Sequence, residues 1–403
     1  MAVPIAADQQ RARRASPTVS WFELFYDLVV VAAVSLTNDA FLSEPSIDTA
    51  RAAVLGIISL SWVWFVTTLF NNVYPGQDMV RRLLMLCQMA LIVAAALAID
   101  HVDGVKTTAA MLCYSGALVV VLLLIGTDRI VHHDRAGDSS IRWMTVVPVA
   151  ISAALCAIGA FASPYAVPWI LSLALVASIV PIIGWEYRNW EGDERLRLGH
   201  LRERLGLFII IILGEGFAAL VAELRLLPSI PRNDVFALTF LVSFALWWIY
   251  FDGTFSDRRD LVRIRWRLSL LGHLMLIFGM AGTLDILVLV TAKQEVEYGP
   301  LVLPYFAASI ALVLLSFALL RFSVQGRLGA AGTIHLVSGL LILAAGLLLA
   351  RQHSDALEPL IGACAVIVIV NGLIGSWMDR EAREGGLSAQ VAALVRGYDE
   401  PAN

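Results

Sequence analysis

Twelve stretches of roughly 20 mostly apolar residues follow one another along the chain, separated by short polar turns. A helix of about 20 residues crosses the hydrocarbon core of a bilayer. Hydrophobic residues make up 59% of the chain and charged residues 15%, whereas soluble domains average about 45–50% and about 25%. The sequence therefore predicts an all-α, polytopic transmembrane helix bundle. The predicted spans cover about 21–42, 50–71, 82–101, 107–128, 143–163, 165–186, 202–223, 234–252, 267–291, 302–321, 329–350 and 357–378.

The distribution of positive charge predicts the orientation of these spans. With the N-terminus in the cytoplasm, 23 of the 29 Lys and Arg residues fall on the cytoplasmic side and six on the outer side. Cytoplasmic loops carry such an excess, and one missed span would scramble the pattern downstream of it. The sequence therefore predicts that both termini are cytoplasmic, with tails at 1–20 and 381–403. The net charge of −4 offers no basic surface for nucleic acid.

Matches between the two halves of the chain predict an internal duplication. A shift of 185 residues superposes Trp62, Arg82, Gln88 and Asp100 on Trp247, Arg267, His273 and Asp285. A shift of 192 superposes Arg129, Trp185 and Arg188 on Arg321, Trp377 and Arg380. We therefore expect two six-span halves, 21–188 and 189–380, related as parallel repeats.

The first span contains two carboxylates, Glu23 and Asp27, four residues apart on one helical face. Ionisable groups at the centre of a span cost at least about 2.5–3.5 kcal/mol on insertion scales, so they need a partner or a function. Two carboxylates on one stripe favour a cation, a proton or an arginine as partner. The alternative is that both lie at the interface and reach headgroup water.

The seventh span carries a carboxylate near the predicted bilayer midplane. Glu215 follows Arg204 by eleven residues, which puts both on one helical face roughly 16 Å apart. Two flanking glycines allow another helix backbone to approach closely. Glu215 is either a proton- or cation-binding group or a protonated carboxyl hydrogen-bonded within the bundle.

Four further residues complete the set of candidate substrate- or ion-binding positions. His200 and Glu203 open the seventh span, Asp252 ends the eighth, and His273 lies about two turns inside the ninth. The spacing of His200 and Glu203 occurs in helical metal sites, but no further ligand stands nearby in the sequence. The sequence contains no nucleotide-binding loop, serine elbow or paired-cysteine motif. We therefore predict no catalytic residue, cofactor or metal.

Two of these stretches together resemble a known family. The segment from Glu23 to Val31, Glu-Leu-Phe-Tyr-Asp-Leu-Val-Val-Val, resembles the opening motif of the bacterial low temperature requirement protein A family. The segment from His200 to Glu215 resembles its central motif, and Trp247 to Asp252 is similar to a third segment; Tyr26 stands where we expect Phe. The resemblance implies a multi-pass bacterial inner-membrane protein. It implies no substrate, cofactor or partner, because the family's biochemical activity is not established.

Three hypotheses for the function follow. The first is a proton- or cation-coupled secondary transporter of an unknown small molecule or ion. In this hypothesis Glu215 binds the coupling ion, and Arg204 tunes Glu215 or meets an anionic substrate group. Glu203 orients Arg204 or His200. The second is an enzyme acting on lipids or lipid-linked substrates, which would gather its acid and base groups at one cytoplasmic cleft. The third is a non-catalytic sensor or assembly factor whose carboxylates only pair helices. Besides the lipid bilayer, no partner or oligomeric state is predicted.

Overall fold

The computed structural model describes residues 19–74, 76, 78–99, 104–131, 139–184, 197–226, 233–254, 265–292, 300–351 and 357–398. Within these ranges every regular element is helical. A short helical turn, Asp39–Ser43, follows the first helix, and a π-helical turn, Ile249–Thr254, continues the eighth. The long helices are α1 (Trp21–Leu36), α2 (Ile47–Val73), α3 (Met79–Ile99), α4 (Gly104–Val131), α5 (Ser139–Gly159), α6 (Val167–Gly184), α7 (Leu198–Leu226), α8 (Asn233–Trp248), α9 (Trp266–Ala292), α10 (Val302–Gln325), α11 (Gly329–Leu349) and α12 (Leu357–Tyr398).

Each predicted span coincides with one of these helices, so the polytopic helical bundle is confirmed. In the described ranges nine helical segments are long and apolar enough to cross a bilayer. Three shorter apolar segments, Thr145–Gly159, Val167–Ile182 and Phe236–Asp252, lie at the fifth, sixth and eighth positions. Pro168 lies in the first turn of α6, where no helical hydrogen bond is lost, and the helix continues through Pro181 to Gly184.

The surface of the bundle is apolar and much of its polar content is inside. Large apolar side chains such as Ile158, Trp169 and Leu341 are mostly exposed, whereas Asp27, Gln88 and Arg204 are fully buried. Exposing so much apolar surface to water is unfavourable, whereas contact of the same surface with lipid tails is favourable. The distribution supports contact with a lipid bilayer.

The chain forms two compact units, residues 1–219 and 220–403. The boundary between them along the chain falls within α7. In the first unit α3, α4, α5 and α6 pack as successive neighbours. Helix α2 contacts α1, α3, α4 and α6. It is also the most buried of the candidate spans, since 83% of its apolar 18-residue stretch is buried. Helix α2 is therefore the central helix of the first unit.

In the second unit α10 packs between α9 and α11, and α12 contacts α8, α10 and α11. Helix α8 with its π turn contacts α9, α10 and α12. These neighbours correspond to the contacts of α2 with α3, α4 and α6, which is the pattern that two related halves would share. The six-plus-six repeat stays a prediction; its residues Asp100, Trp185 and Arg188 lie outside the described residues.

A glycine lets α9 and α10 approach closely in the second unit. A Cβ atom added to Gly279 would lie 2.7 Å from the Ser309 carbonyl oxygen and 2.9 Å from the Val313 backbone nitrogen. Backbone atoms of a packed helix cannot move aside as a flexible side chain can. Small residues at such crossings are a common means of packing helices in membranes.

We predict that Gly279→Ala destabilises the protein by about 1–3 kcal/mol, because overpacking forces the two helices apart. Thermal unfolding in detergent, followed by circular dichroism, measures the change. Gly362→Ala on α12 is the matched control, since a Cβ atom there meets nothing within 4 Å. It should leave stability unchanged or raise it by up to about 1 kcal/mol. Equal midpoints for the two variants would contradict the close contact.

Candidate functional site

Helices α1 and α7 bring four of the predicted site residues together at one end of the first unit. Glu23 and Asp27 lie one turn apart on α1, and His200 and Arg204 lie one turn apart near the start of α7. We call these four residues the charge cluster. Since both helices begin at this end, they run in the same direction, as the first and seventh of twelve successive spans should.

The centre of the charge cluster is a buried ion pair. Arg204 donates from Nη2 to Asp27 Oδ1 at 2.8 Å and from Nε to both Asp27 oxygens at 3.2 Å. Neither side chain has any exposed surface. Removing one member of such a pair leaves an uncompensated charge in the interior, which typically costs about 3–5 kcal/mol.

Trp64 on α2 also contacts the buried ion pair. Its indole Nε1 donates to Asp27 Oδ1 at 2.6 Å, and its ring lies 4.1 Å from that of Phe208. The Arg204 guanidinium lies 5.9 Å from the Trp64 ring and 5.8 Å from the Tyr26 ring. Ring faces attract cations at such distances. Trp64 therefore ties the central helix to both α1 and α7.

Tyr26 connects the charge cluster to the neighbouring helices. Its hydroxyl donates to Gln88 Oε1 at 2.9 Å, and Thr67 donates to the same oxygen at 3.2 Å. The Gln88 amide donates in turn to the Ala117 carbonyl on α4 at 3.0 Å. The phenylalanine that the family motif led us to expect at position 26 could not make the first of these bonds.

Glu23 lies at the rim of the charge cluster and has a second, local role. It forms a capping box with Ser20, accepting the Ser20 backbone N–H at 3.0 Å while Ser20 Oγ accepts the Glu23 N–H at 3.2 Å. Its other oxygen lies 3.4 Å from Arg204 Nη1, and its side chain is 14% exposed. Glu23 thus starts α1 and also faces the guanidinium.

Asn72 on α2 connects His200 to the segment that precedes α7. Its amide oxygen accepts the Arg197 backbone N–H at 2.9 Å and its amide nitrogen donates to the Arg197 carbonyl at 3.0 Å. The same nitrogen lies 3.4 Å from His200 Nδ1. The other ring nitrogen of His200, Nε2, lies 3.6 Å from Glu23 Oε2.

The resulting balance of charge in the charge cluster is unequal. Glu23 and Asp27 supply two negative charges, Arg204 supplies one positive charge, and His200 supplies one only when it is protonated. With a neutral His200, one negative charge remains uncompensated within a mostly buried site, where it is costly. Binding one proton or one small cation would neutralise the charge cluster.

The other two predicted residues of α7 lie outside the charge cluster. Glu203 is exposed, and Asp27 and Asn72, rather than Glu203, position Arg204 and His200. Glu215 is partly buried. The described contacts pair Arg204 with Asp27 and Glu23, and they include no ion pair or hydrogen bond made by Glu215.

Asp252 and His273 belong to the second unit and have partners there. Asp252 Oδ2 accepts from Ser376 Oγ at 2.6 Å and from Trp248 Nε1 at 3.2 Å. His273 uses both ring nitrogens, Nδ1 to the Ser269 carbonyl at 2.6 Å and Nε2 to the Tyr250 hydroxyl at 3.1 Å. The carbonyl can only accept, so Nδ1 carries a hydrogen, whereas the Tyr250 hydroxyl can either donate to Nε2 or accept from it.

Sequence reasoning missed three residues of this site. Trp64 and Asn72 lie in the second span, where no periodicity links them to the first or seventh. Ser20 had a recognisable signal, since Ser-x-x-Glu before an apolar run is a capping box. Among the described side chains no group of three His, Cys, Asp or Glu could hold a metal ion.

We predict that Trp64→Phe destabilises the protein by about 1–3 kcal/mol, because it removes the indole N–H from a buried carboxylate that cannot reach water. The measurement is thermal unfolding in detergent. Trp169→Phe on α6 is the control, since Trp169 is 73% exposed. It should stay within about 0.5 kcal/mol of the wild type. Similar losses for both variants would show that the indole bond contributes nothing specific.

Comparison with known proteins confirms the family resemblance that the motifs predicted. The model of the family "Bacterial low temperature requirement A protein (LtrA)" matches residues 18–371, which include all eight predicted site residues. A curated relative, the uncharacterized protein RA0937 of Rhizobium meliloti (strain 1021), is 29% identical over 251 residues. The match covers 58% of this chain and 58% of that relative's length. Since the family model spans most of the chain, this multi-pass membrane protein belongs to the bacterial low temperature requirement A (LtrA) family.

Proposed function

We propose that this protein is a proton-coupled secondary transporter of the bacterial inner membrane, with both termini in the cytoplasm. The observation that carries the proposal is the charge cluster, in which two carboxylates face one guanidinium and one histidine. A buried site with one surplus negative charge favours a bound proton or small cation. Intramembrane ionisable groups of this kind characterise proton relays in transporters.

The orientation follows from the charges around the charge cluster. Arginines are concentrated in the segments before the first and seventh spans and around the ends of the second and fourth. The positive-inside rule assigns that side to the cytoplasm. In this orientation the charge cluster lies near the cytoplasmic surface, and Glu215 lies about 16 Å deeper along α7.

Glu215 has a distinct role in this proposal. It is partly buried, and no described residue balances its charge, so a proton or a cation from the transported species would stabilise it. The charge cluster exchanges protons with the cytoplasm, and Glu215 binds the coupling ion deeper in the membrane. Arg204 holds Asp27 and does not tune Glu215 directly.

A lipid-modifying enzyme has less support. That hypothesis requires one cytoplasmic cleft containing Glu23, Asp27, His200, Glu203, Asp252 and His273. Glu203 is exposed on α7, and Asp252 and His273 are bonded to residues of the second unit. Glu23, Asp27 and His200, all in the first unit, contact one another or Arg204.

A non-catalytic assembly factor is the second candidate. The observation that favours it is the completeness of the bonds around Asp27, whose two oxygens accept from Arg204 and Trp64. An ion pair that only joins helices would look the same at its centre. The two candidates differ in the surplus charge of Glu23, which a purely structural pair does not need.

Proton movement in reconstituted vesicles tests the proposal. Purified protein is placed in vesicles that contain a pH-sensitive dye, and pools of amino acids, organic acids, sugars and polyamines are added under an imposed pH gradient. We expect at least one pool to cause proton movement above that of protein-free vesicles. Glu23→Gln should reduce this movement at least tenfold, because glutamine keeps the capping box but removes the surplus charge.

Two further variants test the roles of Glu203 and Glu215 in proton movement. Glu203→Gln removes an exposed carboxylate on the same helix as Arg204 and should behave as wild type. Glu215→Gln should abolish coupled movement, since it removes the deeper ion-binding group. The transporter proposal fails if no pool moves protons above the protein-free background, and Glu215 leaves the scheme if its glutamine variant is as active as wild type.

A further inference from the structure

Helices α2 and α7 run antiparallel, and two contacts indicate their register. Asn72 contacts His200 at one end, and Trp64 contacts Phe208 eight residues further along both helices. Position 68 therefore lies opposite 204. If the same register continues, position 61 lies opposite 211, and the facing positions lead from the charge cluster towards the level of Glu215.

One stripe of α2 carries polar side chains along this interface. Ser61, Thr68 and Asn72 are spaced by seven and four residues, which returns them to nearly the same face of a helix. Because Asn72 contacts His200, this face is directed at α7. The stripe therefore places two hydroxyl groups between the charge cluster and the level of residue 211.

Neither hydroxyl has a partner in the described part of the chain. Ser61 is 4% exposed and Thr68 is 1% exposed, and no hydrogen bond satisfies Ser61 Oγ or Thr68 Oγ1. A buried unpaired hydroxyl costs about 1–3 kcal/mol. Serine in a helix usually avoids this by bonding the carbonyl four residues earlier, as Ser59 does with Leu55 at 2.6 Å.

The facing stripe of α7 ends at a carboxylate. His200, Arg204 and Glu215 share one face, because they are spaced by four and eleven residues. Helical side chains lean towards the N-terminus of their own helix, so Glu215 leans towards the level of residue 211 and thus of Ser61. Along this interface, the described titratable and charged groups of α1, α2 and α7 are the charge cluster with Tyr26 at one end and Glu215 at the other.

We propose that Ser61 and Thr68 bind a short file of water molecules that carries protons between the charge cluster and Glu215. Buried waters typically satisfy such hydroxyls with about three hydrogen bonds each. Each water accepts a proton on one side and releases another on the opposite side, so the file is unchanged when Glu215 gains or loses one proton. This inference rests on the proposed function, since it supplies the path by which Glu215 would exchange its proton.

Time-resolved infrared spectroscopy after a pH jump tests the water file without requiring a transported solute. The carboxyl band of Glu215 is identified in full-length protein by its loss in Glu215→Gln. We expect the double variant Ser61→Ala, Thr68→Val to slow protonation of Glu215 at least tenfold. Thermal stability should be unchanged or higher, because both hydroxyls that are removed lack protein partners.

The matched control is Ser59→Ala, which removes a buried hydroxyl on another face of α2 that is bonded within its own helix. It should leave the protonation rate as in wild type. Equal rates in wild type and the double variant overturn the water file, as does a Glu215 band in wild type that ignores the pH jump. If vesicles show no solute-coupled proton movement but the infrared rates depend on Ser61 and Thr68, the transporter proposal fails and the water file stands.

Discussion

A guanidinium buried among membrane helices must have a carboxylate beside it, and the first unit is organised around that requirement. Arg204 comes from α7 and Asp27 from α1, and Trp64 on the central helix bonds the same carboxylate. The first, second and seventh helices therefore meet at one oxygen atom of Asp27. In a bilayer the hydrophobic effect does not drive helices together, because lipid tails are as apolar as the helix surfaces. A directional hydrogen-bonded ion pair such as Asp27–Arg204 therefore does much to fix the relative depth and rotation of the helices.

The properties of the neighbouring groups follow from this contact. Arg204 is committed to Asp27, so Glu23 at the rim is left with a weaker contact at 3.4 Å. His200 lies between Asn72 and Glu23 and supplies a positive charge only when it is protonated. With a neutral His200 one negative charge is in surplus, and it is located where a proton could enter from the predicted cytoplasmic side. The unpaired hydroxyls of Ser61 and Thr68 continue the polar interface from this point.

The sequence predicted the fold well because the bilayer imposes a simple pattern. Spans need about 20 apolar residues, and this alone located all twelve helices. The cost of burying charge also singled out Asp27 and Glu23 and indicated that an arginine could be their partner. The sequence could not identify Arg204 as that partner, because 177 residues separate it from Asp27 and no periodicity spans that distance. The sequence suggested Glu215 and Glu203 as neighbours of Arg204, whereas the described contacts pair Arg204 with Asp27 and Glu23. Sharing a helix says nothing about which neighbouring helix approaches.

Asp27 and Arg204 act as one unit that holds α1 and α7 together. A double-mutant cycle with Asp27→Asn, Arg204→Gln and their combination tests this coupling. The loss of folded protein on heating is followed by size-exclusion chromatography of fluorescent fusions. Each single variant leaves an unpaired buried charge and should lose about 3–5 kcal/mol. The double variant removes both charges, so its loss should be smaller than the sum of the single losses by well over about 0.5 kcal/mol. Additive losses would contradict the claim and would mean that the two side chains stabilise the protein independently.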